Sequence, residues 1–432
     1  MKHLFAAFLF LSGTALFSQT YPSHNISLIS RISPDTTPIS PTGKRYSGCW
    51  GWHQAAKNRE YAIAGSKTGT YFIDITNPAS PVVADFVPGK LSDWREMKTY
   101  QNYCYVVSDV ETPNRFQIID MQYLPDSVHV VHDANTLFEL GHSIWIDQDK
   151  MYVAQTGFVN SIVSPMTVWS LATPTAPVLL RRIEQDQAIP EIHDMFVRND
   201  TVYASAAWQG ISVLKLNANN TFSPLGSYDG YSQEGYNHSS ALTQDGKYLL
   251  FCDEVPESIP MHLIDVQNLQ NIQPVKAWLP HEKTTPHNPF IIGNKWAIVS
   301  CYQDGLFIYD ISQPPVIGVA GFFDTFPQGG VNTGEYIGGA YNGNWGAHPF
   351  LPSGLIIAND MQNGVFILDA SDAYATTGGN AVGLADHQTS GPAFSIYPNP
   401  AGDQLRIQNR SEGKVHFEIK NILGNIILSG ER

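Results

Sequence analysis

One short strand pattern recurs seven times along this chain, and copies of that kind must bury themselves against one another. The clearest unit begins at Tyr61: YAIAG, a turn SKTGT, YFIDI, a turn TNPASP, then Val82 to Val87. Alternating apolar and β-branched residues mark the strands, and Asp, Asn and Pro supply the turns. Its second strand returns as RFQIIDMQYLP (115–125), TVWSLATPTAP (167–177), ISVLKLNANN (211–220), MHLIDVQNLQ (261–270), GLFIYDISQPP (305–315) and GVFILDAS (364–371). Five copies end in aspartate, at Asp74, Asp120, Asp265, Asp310 and Asp369, and the third and fourth do not. A matching strand precedes each copy, and one more precedes that. Four short strands at intervals of roughly 40–60 residues is the spacing of propeller blades. The expectation is an all-β chain with a seven-bladed β-propeller over residues 25–370.

Closure of the ring is legible as well. The seventh copy supplies three strands and no fourth, while Asn25 to Ile32 (NISLISRI) has the character of an outer strand such as VLLRRI at 178–183. The N-terminal strand is expected to complete the last blade, which removes an open sheet edge.

Composition agrees with this architecture. Hydrophobic residues make up 43%, charged ones 15%, and there are 35 Gly and 28 Pro, a turn-rich balance that favours strands over long helices. A formal charge of −14 with no basic stripe argues against a nucleic-acid partner. Residues 1–19 read as a removable export signal: Lys2 and His3, an apolar run from Leu4 to Leu11, and a smaller exit from Gly13 to Ser18. No other stretch is apolar and long enough to span a membrane. Cys49, Cys104, Cys252 and Cys301 follow no disulfide or metal spacing and are expected as buried strand residues.

Two resemblances follow from these residues. YAIAGSKTGTYFIDITNPASPV resembles the LVIVD repeat of bacterial surface propellers. Together with DWREMKTY, GHSIWID and EIHD it is similar to the choice-of-anchor B group. That likeness implies a surface propeller and little about activity. FSIYPNPAGDQLRI (394–407) with VHFEIKNILGNIILSG resembles the type A sorting domain read by type IX secretion. It implies the type IX machinery as a partner, a secreted or surface-attached address, and a small partial β-sandwich over 393–432, shorter than such domains usually run. Residues 371–392, small, polar and Gly-rich, read as a linker.

Chemistry points to one repeated place. About nine residues upstream of each blade's second strand, on the innermost strand, stand His53, His142, His193, His238, His287 and His348, with Trp94, Arg95 and Glu96 in the second blade. Six of 14 histidines at one repeat position predict a ring around one mouth of the central channel. Asp109, Glu111, Asp253, Glu254, Asp304 and Asp360 are expected nearby. Such histidines can simply hydrogen-bond a neighbouring loop, copied by duplication. Crowding should also push them below the ordinary value of about 6.5, leaving the neutral form that binds metals.

On that reading His142, His193 and His238 hold a divalent metal, zinc or calcium. Trp94, Arg95, Glu96, His53, His287 and His348 contact a ligand. Trp50, Trp52, Trp145, Trp208 and Trp345 are expected near the mouth or in the core. GSKTG lacks the P-loop spacing, and no GxSxG elbow occurs. The residues therefore favour a non-catalytic extracellular binding protein that uses the His-lined mouth. A metal-dependent extracellular hydrolase is the alternative, and a purely architectural surface protein is the third reading.

Overall fold

The computed structural model describes residues 21–37, 43–109, 114–159, 161–329 and 341–376, with the backbone of four strands in the tail. The expected leader lies outside the described residues. Two strands come first, β1 (Ser23–His24) and β2 (Ser27–Ile32). Blade 1 is β3 (Tyr46–Gln54), β4 (Arg59–Ser66), β5 (Gly69–Asp74) and β6 (Val82–Pro88). Blade 2 is β7 (Arg95–Tyr100), β8 (Tyr103–Ser108), β9 (Phe116–Asp120) and β10 (His129–Ala134). Blade 3 is β11 (Ile144–Asp147), β12 (Lys150–Phe158), β13 (Ile162–Ser170) and β14 (Val178–Arg182). Blade 4 is β15 (Asp194–Arg198), β16 (Thr201–Ser205), β17 (Ile211–Leu216) and β18 (Phe222–Tyr228). Blade 5 is β19 (Tyr236–Leu242), β20 (Tyr248–Val255), β21 (Met261–Asp265) and β22 (Gln273–Trp278). Blade 6 is β23 (Pro289–Ile292), β24 (Trp296–Ser300), β25 (Leu306–Gln313) and β26 (Val316–Phe323). Blade 7 is β27 (Asn344–His348), β28 (Ile356–Asp360) and β29 (Gly364–Asp369), completed by β2. All seven sheets are antiparallel, and the protein is a seven-bladed β-propeller.

Each apolar cluster lies between two consecutive sheets, because a blade has an apolar residue on both faces of its middle strands. Tyr61, Ile63 and Phe72 of blade 1 meet Met97, Cys104 and Ile119 of blade 2. Ala62, Ala64 and Ile73, on the other face of blade 1, meet Ile357, Val365 and Ile367 of blade 7. That contact closes the ring. All four cysteines are buried and free, as expected.

The predicted latch is present and has a second part that the repeat pattern did not reveal. β2 pairs with β29, Ser27 opposite Asp369 and Ile32 opposite Val365. Just before it, β1 pairs with β26 of blade 6. Asn25 joins the two, its Nδ2 donating to the Ala320 carbonyl at 2.9 Å and its own carbonyl accepting from Ala373 N at 3.1 Å. Ala373 belongs to a short helix, α1 (Ser371–Ala375), which packs on blades 6 and 7 with Tyr374 against Trp296. The first residues of the expected linker therefore belong to the propeller. In the tail, β30 (Phe394–Tyr397) pairs with β31 (Arg406–Asn409) and β32 (His416–Lys420) with β33 (Ile426–Glu431), both antiparallel. The chain divides into two compact units, 1–382 and 383–432.

The recurring aspartate has a local cause. Oδ1 of Asp74, Asp120, Asp265, Asp310 and Asp369 each accepts from the backbone N–H two residues on, at 2.8–2.9 Å, the hydrogen bond that turns the chain as it leaves this strand. In blade 3 the Ser170 hydroxyl does this instead, at 3.2 Å. Asp265→Ala should cost about 1 kcal/mol by urea denaturation. An unchanged midpoint would show that the Asn- and Gln-rich turn after Asp265 forms without it.

Candidate functional site at the channel mouth

Inter-blade hydrogen bonds reveal which inner-strand residues are truly equivalent. Ser143 Oγ donates to the His193 carbonyl at 3.1 Å, Ser239 Oγ to the His287 carbonyl, and Asn288 Nδ2 to the Trp345 carbonyl at 2.9 Å. Ser47 Oγ reaches the Arg95 carbonyl in the same way at 3.2 Å. The repeat position is therefore held by Tyr46, Arg95, His142, His193, His238, His287 and Trp345.

His53 and His348 do not belong to that set. His53 pairs with Glu60 on the β3–β4 ladder, near the opposite end of β3 from Tyr46. His348 packs its ring 4.4 Å from Trp50 and 5.5 Å from Phe350. Counting upstream went astray in blade 1 because β3 is nine residues long with a register shift between Tyr46 and Cys49, and in blade 7 because residues 349–355 join its first two strands. In blades 2, 3 and 4 two residues suffice.

Four histidines form a continuous arc across blades 3 to 6. Ring centroids are 4.2 Å apart for His142–His193, 4.1 Å for His193–His238 and 4.3 Å for His238–His287. The backbone presents them in two ways. His142, His193 and His287 lie one or two residues before their inner strands, anchored by backbone N–H bonds to Ala154, Ser205 and Ser300 carbonyls. His238 lies within β19 at a bulge, between Asn237 opposite Asp253 and Ser239 opposite Cys252. A bulge re-aims one side chain without ending the ladder.

Electrostatics divide the arc. Burial, then the neighbouring imidazoles, hold His193 and His238 well below the ordinary histidine value. His287 is also held well below that value, by burial first. These three are neutral, as crowding alone led one to expect, but desolvation is the larger cause. His142 goes the other way: burial is outweighed by Asp109, whose Oδ2 lies 2.6 Å from Nδ1, and its value is raised. His193 Nδ1 lies 3.0 Å from the His238 carbonyl and His287 Nδ1 2.6 Å from the Trp345 carbonyl. A carbonyl only accepts, so each Nδ1 carries the proton and each Nε2 carries the lone pair.

Among the described carboxylates expected nearby, only Asp109 and Glu254 face the imidazoles. Glu254 lies 3.7 Å from His238 Nε2 and 4.0 Å from His287 Nε2. Asp253 instead accepts from Tyr231, Gly235 and Asn237, Asp304 accepts from Thr284, and Asp360 accepts from Thr325, Gln362 and Asn363. These three brace loops. Glu111 lies outside the described residues.

The blade-2 residues separate in role. Arg95 is 2% exposed, and its guanidinium is taken up by the Ser66 and Lys90 carbonyls. Glu96 is ion-paired with Lys98 at 2.5 Å, and the Lys98 ammonium sits 4.4 Å from the Trp50 ring. Glu96, Lys98 and Trp94 join His142, His193, His238, Asp194 and Trp345 around a cavity of about 60 Å³. Asp194 is raised to about 7, by burial first and then by the charge of Glu96. Trp52 is core, against Tyr61. Trp208 is 61% exposed, edge-on to Tyr236. Inner-strand counting passed over Trp345, and Lys98 and Asp194 carried no repeat signal.

In sequence, no curated protein matches the chain. Among solved structures it is similar to a Bacteroides uniformis protein described provisionally as a 6-phosphogluconolactonase. The two share 11% identity over 75% of this chain and 92% of the other, at a TM-score of 0.51, which shows a shared fold. Among the described residues no helix is long and apolar enough to cross a membrane. Residues 395–431 match the secretion system C-terminal sorting domain, the type IX signal, and the protein is accordingly one that is secreted or attached to the outer cell surface.

Proposed function

We propose that this is an extracellular binding protein that takes its ligand at the His-lined mouth of the propeller channel. Met1 to Gln19 would serve as its leader, and the LVIVD-type, choice-of-anchor B likeness agrees with a surface role. The observation that carries the reading is the arc of four imidazoles from four successive blades, three of them neutral. Burying them costs solvation that an apolar core residue would not. Arg95 and Tyr46 occupy the same repeat position in other blades, so the propeller does not require histidine there. The cavity beside the arc, about 60 Å³, is far smaller than the ~300–1,000 Å³ of ordinary small-molecule pockets. It therefore suits a small ion, or one group of a larger ligand resting on the rim.

Hydrogen-exchange mapping of the mature protein with zinc, inorganic phosphate and soluble oligosaccharides tests this. A probe that binds should protect the segments around His142, His193, Trp208, His238 and His287, and His193→Ala should weaken it at least about fivefold. Protection confined to outer strands such as β14 or β22 would overturn the reading.

A further inference from the structure

We infer that His238, His287 and Glu254 form a binding site for one divalent transition-metal cation of the zinc type. The inference rests on the mouth reading and names its ligand, and it moves the metal one blade along from the His142–His193–His238 set expected from spacing. One ligand atom from each of the three residues lies within 4.8 Å of the other two. Donors around a tetrahedral zinc stand about 3.3 Å apart at bond lengths of ~2.0–2.1 Å, so side-chain adjustments of about an ångström close the shell.

Three further features point to a cation rather than a packing arrangement. His287 is fully buried, and its Nε2 has no hydrogen-bond partner. Leaving such an atom unsatisfied costs about 1–3 kcal/mol. The Trp345 carbonyl fixes the His287 tautomer from the Nδ1 side, so the unpartnered atom is a lone pair aimed at the same carboxylate that faces His238. That carboxylate is itself oriented by the Tyr302 hydroxyl, which donates to Glu254 Oε1, while Tyr341 Oη holds the backbone of Glu254 through its carbonyl at 3.2 Å. Outer partners of this kind orient metal ligands. Two imidazoles and one carboxylate suit zinc and its neighbours, whereas calcium requires a shell of oxygens.

The experiment is equilibrium dialysis of untagged mature protein against Zn²⁺ alone, with metal analysis and Co²⁺ absorption as a second readout. The wild type is expected to bind one ion per chain. Glu254→Gln and His287→Ala should each weaken binding at least about tenfold and abolish the cobalt band. Glu254→Gln keeps the side chain's shape, so it reports on ligation even if His287→Ala disturbs folding; near-UV circular dichroism checks both. No zinc bound by the wild type would overturn the metal site while the exchange mapping still decides the mouth reading. Zinc lost on His142→Ala or His193→Ala but retained in Glu254→Gln would overturn this ligand set and keep the mouth. Zinc retained in all four variants would overturn the metal site, and exchange mapping with phosphate and oligosaccharides would decide the mouth reading.

Discussion

Ile26→Ala should destabilise the propeller by about 2–5 kcal/mol, and removing residues 21–32 should abolish cooperative unfolding. Ile26 is 2% exposed and lies between blades 6 and 7 in a cluster with Ala320, Phe323, Phe366, Leu368 and Ala373. Its side chain sits where the N-terminal segment pairs with blades 6 and 7 at once, β1 on β26 and β2 on β29. The tyrosine ahead of it adds to this seam, with ring centroids 5.7 Å from Phe323 and 5.2 Å from Phe366. Deleting the segment strips both covers together. It leaves β29, with its run Val365, Phe366, Ile367 and Leu368, as an open edge available to another chain. Chemical denaturation followed by circular dichroism gives the Ile26→Ala value, and size-exclusion chromatography shows whether the deletion variant associates. A deletion variant that stays monomeric and unfolds in one sharp transition would show that the other blades close the ring unaided.

His348 is expected to make the protein sensitive to acid, with a sign that can be worked out. It is 4% exposed, and burial, followed by the charge of Lys98, pushes it down to about 3. In the unfolded chain an imidazole protonates near 6.5. Between those values the unfolded state therefore holds more protons than the folded one, and stability falls as pH falls. The slope approaches roughly 1.4 kcal/mol per pH unit once the pH is well below ~6.5, so lowering the pH from ~6.5 to ~4.5 should remove about 2 kcal/mol through this residue alone.

Other groups titrate in the same range. His262, at about 4, acts with the same sign. Asp324, raised to about 7 by burial, acts against it, because its folded form takes up a proton that the unfolded form releases. The comparison with His348→Gln isolates the one residue. The variant should lose ring packing on Trp50 at neutral pH, and the stability gap should narrow by about 2 kcal/mol over those two pH units. Urea curves that stay parallel across the range would sink the assignment.

How much was readable beforehand can be judged residue by residue. The turn aspartates declared the blades because an Asx hydrogen bond is local, made between Asp265 and Gln267 whatever the rest of the chain does. The outer-strand character of Asn25 to Ile32 was equally plain, since alternation along one strand is a property of that strand. The histidines were visible as a repeat, yet two of the six were misplaced. Their position is set by loop length and by bulges, and a bulge such as the one at His238 leaves no composition signal. Arg95 read as a ligand contact because its charge is evident and its partners, the Ser66 and Lys90 carbonyls, are not.

Glu254 shows the limit most clearly. In sequence it is one of several acidic residues after a second strand, no different from Asp304 or Asp360. In the fold it alone of the three lies between two imidazoles. Local patterns, the strand period and the turn chemistry, therefore determined the architecture, and the sorting tail determined the address, because both are written in contiguous residues. The candidate site was decided only by tertiary structure. It is assembled from residues nearly 50 positions apart, His238 and His287, whose separation in space depends on how neighbouring blades pack.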